Sequence, residues 1–145
     1  MAGEQKPTVV LVFGNAGHGK TTFGRAVCAL VPGAVEMAFA DPVKDIAAAL
    51  LGVERASLDT AEGKAAEAYG MTCRKWLQCI GTEWGRDQVD DDVWVHRLVA
   101  RVRASRAPLV VVSDARFRNE LSVTRAMLES NQPGHVRVVA VKVER

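Results

Sequence analysis

The sequence predicts an α/β protein with a mostly parallel sheet and helices on both faces. Two apolar runs, residues 8–13 (TVVLVF) and 109–113 (LVVVS), are rich in β-branched residues and match strands buried on both faces of a sheet. Segments with helical periodicity separate the predicted strands, which is typical of parallel sheets with crossover helices. With 48% apolar and 25% charged residues over 145 positions, the composition is that of one globular domain.

A helix and a short strand follow the first strand. A helix is expected over residues 22–30, because Pro32 and Gly33 interrupt its periodicity. Residues 35–40 (VEMAFA) are the second predicted strand.

Helices fill the long interval between the second and third strands. Asp41 and Pro42 mark a helix start, as N-cap and first helical residue. Residues 54–69 are rich in alanine and charge, and we expect a mobile helical segment there. Residues 73–88 place their apolar side chains on one helical stripe. We interpret the interval, about residues 41–107, as a helical substrate-binding insertion within a single domain.

The C-terminal part returns to alternating helices and strands. Asp91 or Asp92 is expected to cap a helix whose buried stripe includes Val95 and Leu98. The remaining predicted elements are a strand at residues 109–113, a helix at residues 119–129, a turn at Pro133 and Gly134, and a strand at residues 136–143.

Charge and composition argue against several kinds of partner. A net charge of +2 is too small to indicate nucleic acid or an anionic membrane. No apolar run approaches the roughly 20 residues that span a bilayer. The three cysteines lack C-x-x-C spacing, so reduced thiols explain them better than disulfides or zinc. We therefore expect a cytoplasmic protein.

Residues 14–21 (GNAGHGKT) match the phosphate-binding motif G-x-x-x-x-G-K-[ST] without a gap, between a predicted strand and a predicted helix. The glycines let backbone N–H groups curl around phosphate oxygens, and the helix dipole favours the anion. Lys20 supplies charge for the β- and γ-phosphates, and Thr21 offers a hydroxyl to Mg²⁺. His18 is interpreted as an ordinary loop residue rather than a catalytic base. ATP and Mg²⁺ are expected to bind through Gly14, Asn15, Ala16, Gly17, His18, Gly19, Lys20, Thr21 and Thr22.

Two charged residues follow the strand at residues 109–113. Asp114 stands where a carboxylate organises the metal in phosphoryl-transfer enzymes that share this loop, and a turn cap is the alternative. Arg116 is a candidate for contact with the transferred phosphoryl group, and a surface arginine paired with Glu120 is the alternative.

A polar stripe runs along the predicted helix at residues 73–88. Arg74, Gln78, Thr82 and Arg86 recur every four residues and share one broad face. Two arginines flanking an amide and a hydroxyl suit a phosphate and a base edge, whereas a solvated helix face is the alternative.

Four segments in one order resemble bacteriophage-type deoxynucleoside monophosphate kinases of the P-loop nucleoside monophosphate kinase superfamily. They are the glycine motif and residues 39–52 (FADPVKDIAAALLG), 74–87 (RKWLQCIGTEWGRD) and 110–120 (VVVSDARFRNE). The patterns L-Q-x-x-G-T-E-x-x-R and S-D-x-R-F-x-N-E are more specific than the glycine motif. The resemblance implies a three-layer P-loop kinase fold and Mg²⁺-assisted phosphorylation of a deoxynucleoside monophosphate by ATP, in a host cytoplasm if a phage encodes the chain.

The resemblance also implies roles for individual residues. Lys20, Asp114 and Arg116 are expected to act at the reacting phosphates, with Thr21 and Asp114 at the metal. The acceptor nucleotide is expected to contact Asp41, Lys44, Arg74, Gln78, Thr82, Glu83 and Arg86.

Three questions stay open from the sequence. The acceptor could instead be another phosphorylated metabolite or a modified pyrimidine in DNA, and the chain could be a nucleotide-binding module with little turnover. The accepted base is not specified by any motif. Family members continue past the last strand with an arginine-bearing lid, whereas this sequence stops at Arg145. We therefore expect either a homo-oligomer that covers the site or slow transfer with wasteful ATP hydrolysis.

Overall fold

The computed structural model describes residues 7–15, 17–129 and 135–144. The predicted phosphate contact of Ala16 and the predicted turn at Pro133 and Gly134 therefore lie outside the described residues. The chain divides into two compact units. Unit 1 comprises Met1–Phe39 and Val95–Arg145, and unit 2 comprises Ala40–Trp94.

Helices and strands alternate along the chain, apart from a helix-rich stretch in the middle. In chain order the elements are β1 (Thr8–Phe13), α1 (Lys20–Leu30), β2 (Val35–Met37), α2 (Asp41–Leu51), a 3₁₀ helix (Arg55–Asp59), α3 (Ala61–Ala65), β3 (Glu67–Ala68), β4 (Met71–Thr72), α4 (Cys73–Gln78), a π-helix (Cys79–Val89), α5 (Val93–Ala104), β5 (Leu109–Ala115), α6 (Arg118–Leu128) and β6 (Arg137–Lys142).

Unit 1 is built on a parallel four-stranded sheet with the order β2-β5-β1-β6. The two apolar runs of the sequence are its central strands, β1 and β5. Along β1, Val9 and Leu11 pack into one buried cluster and Val12 into another, because successive side chains point to opposite faces. Residues of α5 and α6 complete the first cluster, and residues of α1 pack on the second. Helices therefore cover both faces, which confirms the three-layer α/β fold.

Unit 2 is mostly helical and contains a small hairpin that the sequence did not predict. Its core is formed by Val43, Ala47, Leu51, Leu58, Cys73 and Ile80. The helix start predicted at Asp41 and Pro42 is confirmed as the start of α2, although Ala40 rather than Asp41 is its N-cap. The segment predicted as helical at residues 54–69 contains a 3₁₀ helix and α3, and it ends in the first strand of the antiparallel hairpin β3-β4, which was not predicted.

The helix predicted at residues 73–88 changes type along its length. It begins as α4 and continues as a π-helix, whose hydrogen bonds reach one residue further than those of an α-helix.

A Cβ at Gly85 would lie 2.5 Å from an atom of the Trp94 indole ring, so Gly85 makes room for this ring. The Trp94 Nε1–H group donates to the Gly81 carbonyl at 2.7 Å, which holds the ring there.

Among the described residues, each helix lacks the length or the hydropathy that a membrane span requires.

The two glycines of the π-helix provide a test of this packing. We expect Gly85→Ala to lower the free energy of unfolding by about 1–3 kcal/mol, because the added methyl group overlaps the Trp94 ring. Gly81→Ala is the matched control: its Cβ would meet Val43 only at 3.5 Å, an ordinary contact, so we expect a change within about 1 kcal/mol. Urea denaturation followed by circular dichroism measures both, and equal stability of the two variants would contradict the assignment.

Candidate functional site

The segment that leads from β1 into the first turn of α1, residues 14–21, is called the glycine loop. Gly14, Gly17 and Gly19 have φ values of 157°, 82° and 83°. At Gly14 a Cβ would also lie 2.6 Å from the Val143 carbonyl oxygen. The backbone path of this loop therefore requires glycine at all three positions, for which only this residue type is suited.

The first turn of α1 leaves backbone N–H groups available at the end of the glycine loop. Gly19 is the N-cap and accepts the first intrahelical bond, from the Phe23 N–H group, at 2.9 Å. The N–H groups of the first helical turn have no partner inside a helix, and the first turn of α1 carries no acidic side chain. Lys20 is the first residue of this turn, so a positive charge adds to the positive end of the helix dipole. This arrangement suits an anion.

A cavity of about 470 Å³ opens beside the glycine loop. Its basic lining residues are Lys20, Arg116 and Lys142, and Lys142 forms an ion pair with Glu144. His18 Nδ1 lies 3.4 Å from the Val143 carbonyl oxygen, so this side chain contacts the segment after β6. The full lining is Phe13, Gly14, Asn15, His18, Lys20, Ala115, Arg116, Lys142, Val143 and Glu144. Of the remaining predicted loop residues that are described, Gly17, Gly19, Thr21 and Thr22 are exposed and do not line it.

The sequence analysis did not identify residues 142–144 as part of the site. β6 pairs with β1 in parallel, with Lys142 opposite Phe13, so both strands end at the same edge of the sheet. The predicted parallel sheet could have identified them. The carboxyl ends of parallel strands share one edge, and ligands bind at this edge in open α/β sheets. A parallel partner for β1 at residues 136–143 would have placed this segment beside the glycine loop.

Asp114 lies in an irregularity of β5 at the same edge. Between the pairs Leu11–Val112 and Phe13–Ala115, β5 has one residue more than β1, which is a β-bulge. Bulges redirect side chains and are frequent next to active sites. The Asp114 Oδ1 atom accepts a hydrogen bond from the Phe39 N–H group at 2.9 Å. Asp114 is not among the described residues that line the 470 Å³ cavity, and its predicted metal role stays a prediction.

Arg116 follows β5 and is exposed. It lines both the first cavity and a second one of about 850 Å³, which also shares Phe13 and Lys142. The second cavity adds Arg118 and Arg125 from α6. The backbone N–H group of Arg116 donates to the buried Glu120 carboxylate at 2.6 Å, which is a main-chain contact, and the side-chain pair of these two residues stays a prediction.

The polar stripe of unit 2 lies on α4 and the π-helix. Arg74, Gln78 and Thr82 are exposed and Arg86 is half-buried. Four residues exceed one turn of an α-helix but fall short of one turn of a π-helix. A spacing of four residues therefore rotates the stripe in one direction along α4 and in the opposite direction along the π-helix. The change of helix type keeps the four side chains on a similar face. Ion pairs flank the stripe, Lys75 with the exposed Glu83 at 3.9 Å and Arg86 with Asp91 at 4.0 Å.

Asp41 and Lys44 belong to an ion-pair network around Arg55. The Arg55 guanidinium contacts Asp41 at 3.2 Å, Asp45 at 2.8 Å and Asp59 at 3.1 Å. The Lys44 ammonium group contacts Asp59 at 2.8 Å. The hydrogen bond from Lys44 and the bonds from Arg55 hold the pKa of Asp59 below its ordinary value. The two predicted acceptor-binding residues on α2 are thus joined through Arg55 and Asp59.

Comparison with known proteins finds a similarity that covers most of the chain. No family model matches the sequence. A protein of Acanthamoeba polyphaga mimivirus, named "Putative deoxynucleotide monophosphate kinase", is 30% identical over an alignment 142 residues long, gaps included, and this alignment covers 85% of this chain and 73% of the viral protein. The aligned share exceeds either compact unit, so the similarity includes residues of both.

The ion-pair network around Arg55 leads to a prediction for the pKa of Asp59. We expect its pKa to lie below the ordinary value of 3.8 and to rise in Lys44→Met, because the hydrogen bond from Lys44 favours the carboxylate. A folded-state pKa below the unfolded one stabilises the protein above about pH 4, and this stability is lost as the pH falls through the folded pKa. Carbon-13 NMR titration of the Asp59 carboxyl in both proteins measures the shift. An identical pKa in the two proteins would contradict the role of Lys44.

Proposed function

The chain belongs to the family of deoxynucleotide monophosphate kinases, and on that basis we propose that it transfers the γ-phosphoryl group of ATP to a deoxynucleoside monophosphate. The substrates are small-molecule nucleotides, and the product is the diphosphate. The observation that supports this most directly is the glycine loop, which has three positive-φ glycines and lines a cavity with the basic residues Lys20, Arg116 and Lys142 through Gly14, Asn15, His18 and Lys20. The 470 Å³ volume is within the range of roughly 300–1,000 Å³ that small-molecule sites occupy.

We assign the phosphates of ATP to the glycine loop. The chain fits such a group, because the loop offers backbone donors at the start of α1 and no Cβ restricts the space at Gly17 and Gly19. Asn15, His18 and the first-turn residues Lys20, Thr21 and Thr22 complete the proposed loop contacts. In this assignment Lys20 neutralises charge on the β- and γ-phosphates.

Thr21 and Asp114 are the proposed residues for Mg²⁺. A hydroxyl and a carboxylate are the hard oxygen ligands that this ion prefers, directly or through water. When bound, Mg²⁺ neutralises charge that develops on the phosphates. Thr21 lies on the exposed first turn of α1, and Asp114 lies in the β5 bulge, where its Oδ1 atom accepts the Phe39 N–H group.

We assign the acceptor monophosphate to unit 2. Its phosphate would be gripped by Arg74 and Arg86, since guanidinium groups recognise phosphate with paired donors. Gln78, Thr82 and Glu83 are proposed contacts to the rest of the nucleotide, and Asp41 and Lys44 are proposed neighbours at the start of α2. The acceptor oxygen is ionised near neutral pH, so these residues need only orient it, and Arg116 stabilises the transferred group.

A screen of acceptors tests the reaction as a whole. ADP release is measured with ATP, Mg²⁺ and each of the four deoxynucleoside monophosphates or their ribose counterparts, and the diphosphate is identified by chromatography. Formation of one ADP per diphosphate is expected. Binding of ATP without transfer to any nucleotide would favour a binding module, and transfer only to another phosphorylated metabolite would favour a different kinase.

The donor assignment predicts the behaviour of Lys20→Ala. The lysine is half-buried at the helix start rather than in the core, so the fold should persist while transfer falls by about 2–4 kcal/mol of transition-state stabilisation. Steady-state kinetics with a melting curve measure both. Lys64→Ala, on α3 in unit 2, is the control and should keep normal turnover. Normal turnover of Lys20→Ala as well would refute the donor assignment.

The acceptor assignment predicts a selective loss in Arg74→Ala and Arg86→Ala. The KM for the monophosphate should rise roughly 10- to 100-fold, because a charged hydrogen bond contributes about 1.5–3 kcal/mol. ATP affinity, measured by calorimetry, should stay the same. Arg97→Ala, on the exposed surface of α5, removes the same side chain elsewhere and should change neither value. A fall in ATP affinity with an unchanged monophosphate KM would show that the stripe does not bind the acceptor.

A further inference from the structure

The turn between β5 and α6 is held by one buried carboxylate. Glu120 is 7% exposed, and its Oε1 atom accepts hydrogen bonds from the N–H groups of Arg116 at 2.6 Å and Phe117 at 2.7 Å. Hydrogen bonds to an ionised carboxylate are shorter and roughly twice as strong as neutral ones. Because one oxygen holds two consecutive N–H groups, it fixes the direction of the peptide that carries the Arg116 side chain.

Glu120 is itself fixed within α6. Its own N–H group donates to the Phe117 carbonyl at 3.1 Å, and the buried Thr124 hydroxyl donates to the Glu120 carbonyl. The carboxylate also lies in the first turn of α6, where the helix dipole favours a negative charge. Glu120 therefore connects the main chain at Arg116 rigidly to the helix.

The position of Arg116 matters because the 470 Å³ cavity and the 850 Å³ cavity share this residue. Arg116 lines both of them, and its side chain is exposed. A long exposed side chain has many rotamers, and a fixed backbone narrows the region that its guanidinium can reach. The backbone at Arg116 is fixed by Glu120 from one side and by the pairing of Ala115 with Phe13 from the other.

We infer that Glu120 is the positioning residue that aims Arg116 at the phosphates in the glycine-loop cavity. The inference rests on the proposed function, in which Arg116 stabilises the transferred group. Glu120 itself touches no substrate. It acts through the two main-chain bonds, so its effect on transfer exists only while residue 116 carries a guanidinium.

A double-mutant cycle tests this dependence. Glu120→Gln keeps an oxygen that can accept both bonds but removes the charge, so the fold is retained with weaker control of the turn. We expect kcat/KM for ATP to fall roughly 10- to 100-fold, because small displacements of a positioned group have effects of this size. Arg116→Ala should lower kcat/KM by at least as much. In the double variant Glu120→Gln should cause less than a roughly twofold further loss, since the group that it positions is absent.

Stability and a control variant separate positioning from a general weakening of α6. The melting temperature should fall equally on Glu120→Gln in both backgrounds, whereas the loss of transfer should appear only with Arg116 present. Glu129→Gln is the control. The Glu129 carboxylate, just after α6, also accepts a main-chain hydrogen bond, from the Val138 N–H group at 2.9 Å. This variant should leave kcat/KM unchanged. Losses of transfer that multiply in the double variant, or an equal loss in Glu129→Gln, would overturn the inference.

Failure of the proposed function gives a different result. If the wild-type protein binds ATP but transfers nothing, the function is wrong, and the same cycle is then read on ATP affinity by calorimetry. Non-additive losses of affinity would support Glu120 as the positioning residue of Arg116, and additive losses would refute it. If the wild type transfers and Lys20→Ala is inactive while Arg116→Ala is normal, the function stands and the inference is wrong.

Discussion

The parallel pairing of β1 with β5 and β6 is the constraint on which the site of unit 1 depends. Phe13 lies opposite Ala115 on one side and Lys142 on the other, so three strands end at one edge of the sheet. The glycine loop, the turn that carries Arg116 and the segment after β6 all begin there. This register in turn depends on the valine- and leucine-rich strands, because a shift by one residue would turn the buried side chains to the wrong face. The core that stabilises the sheet therefore also brings the basic residues together.

Most of the unit 1 framework could be predicted from the sequence because its signals are local. An apolar, β-branched run buried on both faces has few other structures available, and the glycine motif requires the backbone angles seen at Gly14, Gly17 and Gly19. Residues 142–144 carry no such local signal, and for Glu120 the sequence indicated an ion pair with Arg116 rather than hydrogen bonds to the main chain. Their roles come from strand pairing and from hydrogen bonds to the main chain, which a side-chain pattern does not display.

Unit 2 was harder to predict because its local structure departs from common preferences. The hairpin β3-β4 turns at Tyr69 and Gly70, with φ values of 50° and 79°. Both angles suit a tight two-residue hairpin turn, but a tyrosine there gives no turn signal. The π-helix likewise follows the apolar periodicity of an α-helix closely enough to be read as one. A glycine at position 85 is costly in a helix, and the structure explains it by the close approach of the Trp94 ring and of the Ile80 carbonyl oxygen.

At the turn after β5, the hydrogen bonds that stabilise the main chain also serve the proposed chemistry. Asp114 accepts the Phe39 N–H group and Glu120 accepts those of Arg116 and Phe117, so both carboxylates hold main chain at the edge where the basic side chains meet. Phosphoryl transfer asks a protein mainly for fixed positions and fixed charges. A carboxylate bound to main-chain donors supplies both, because it anchors the backbone and keeps its charge in place. The acidic residues of the S-D-x-R-F-x-N-E pattern are therefore explained by the geometry of the turn, even where they contact no nucleotide.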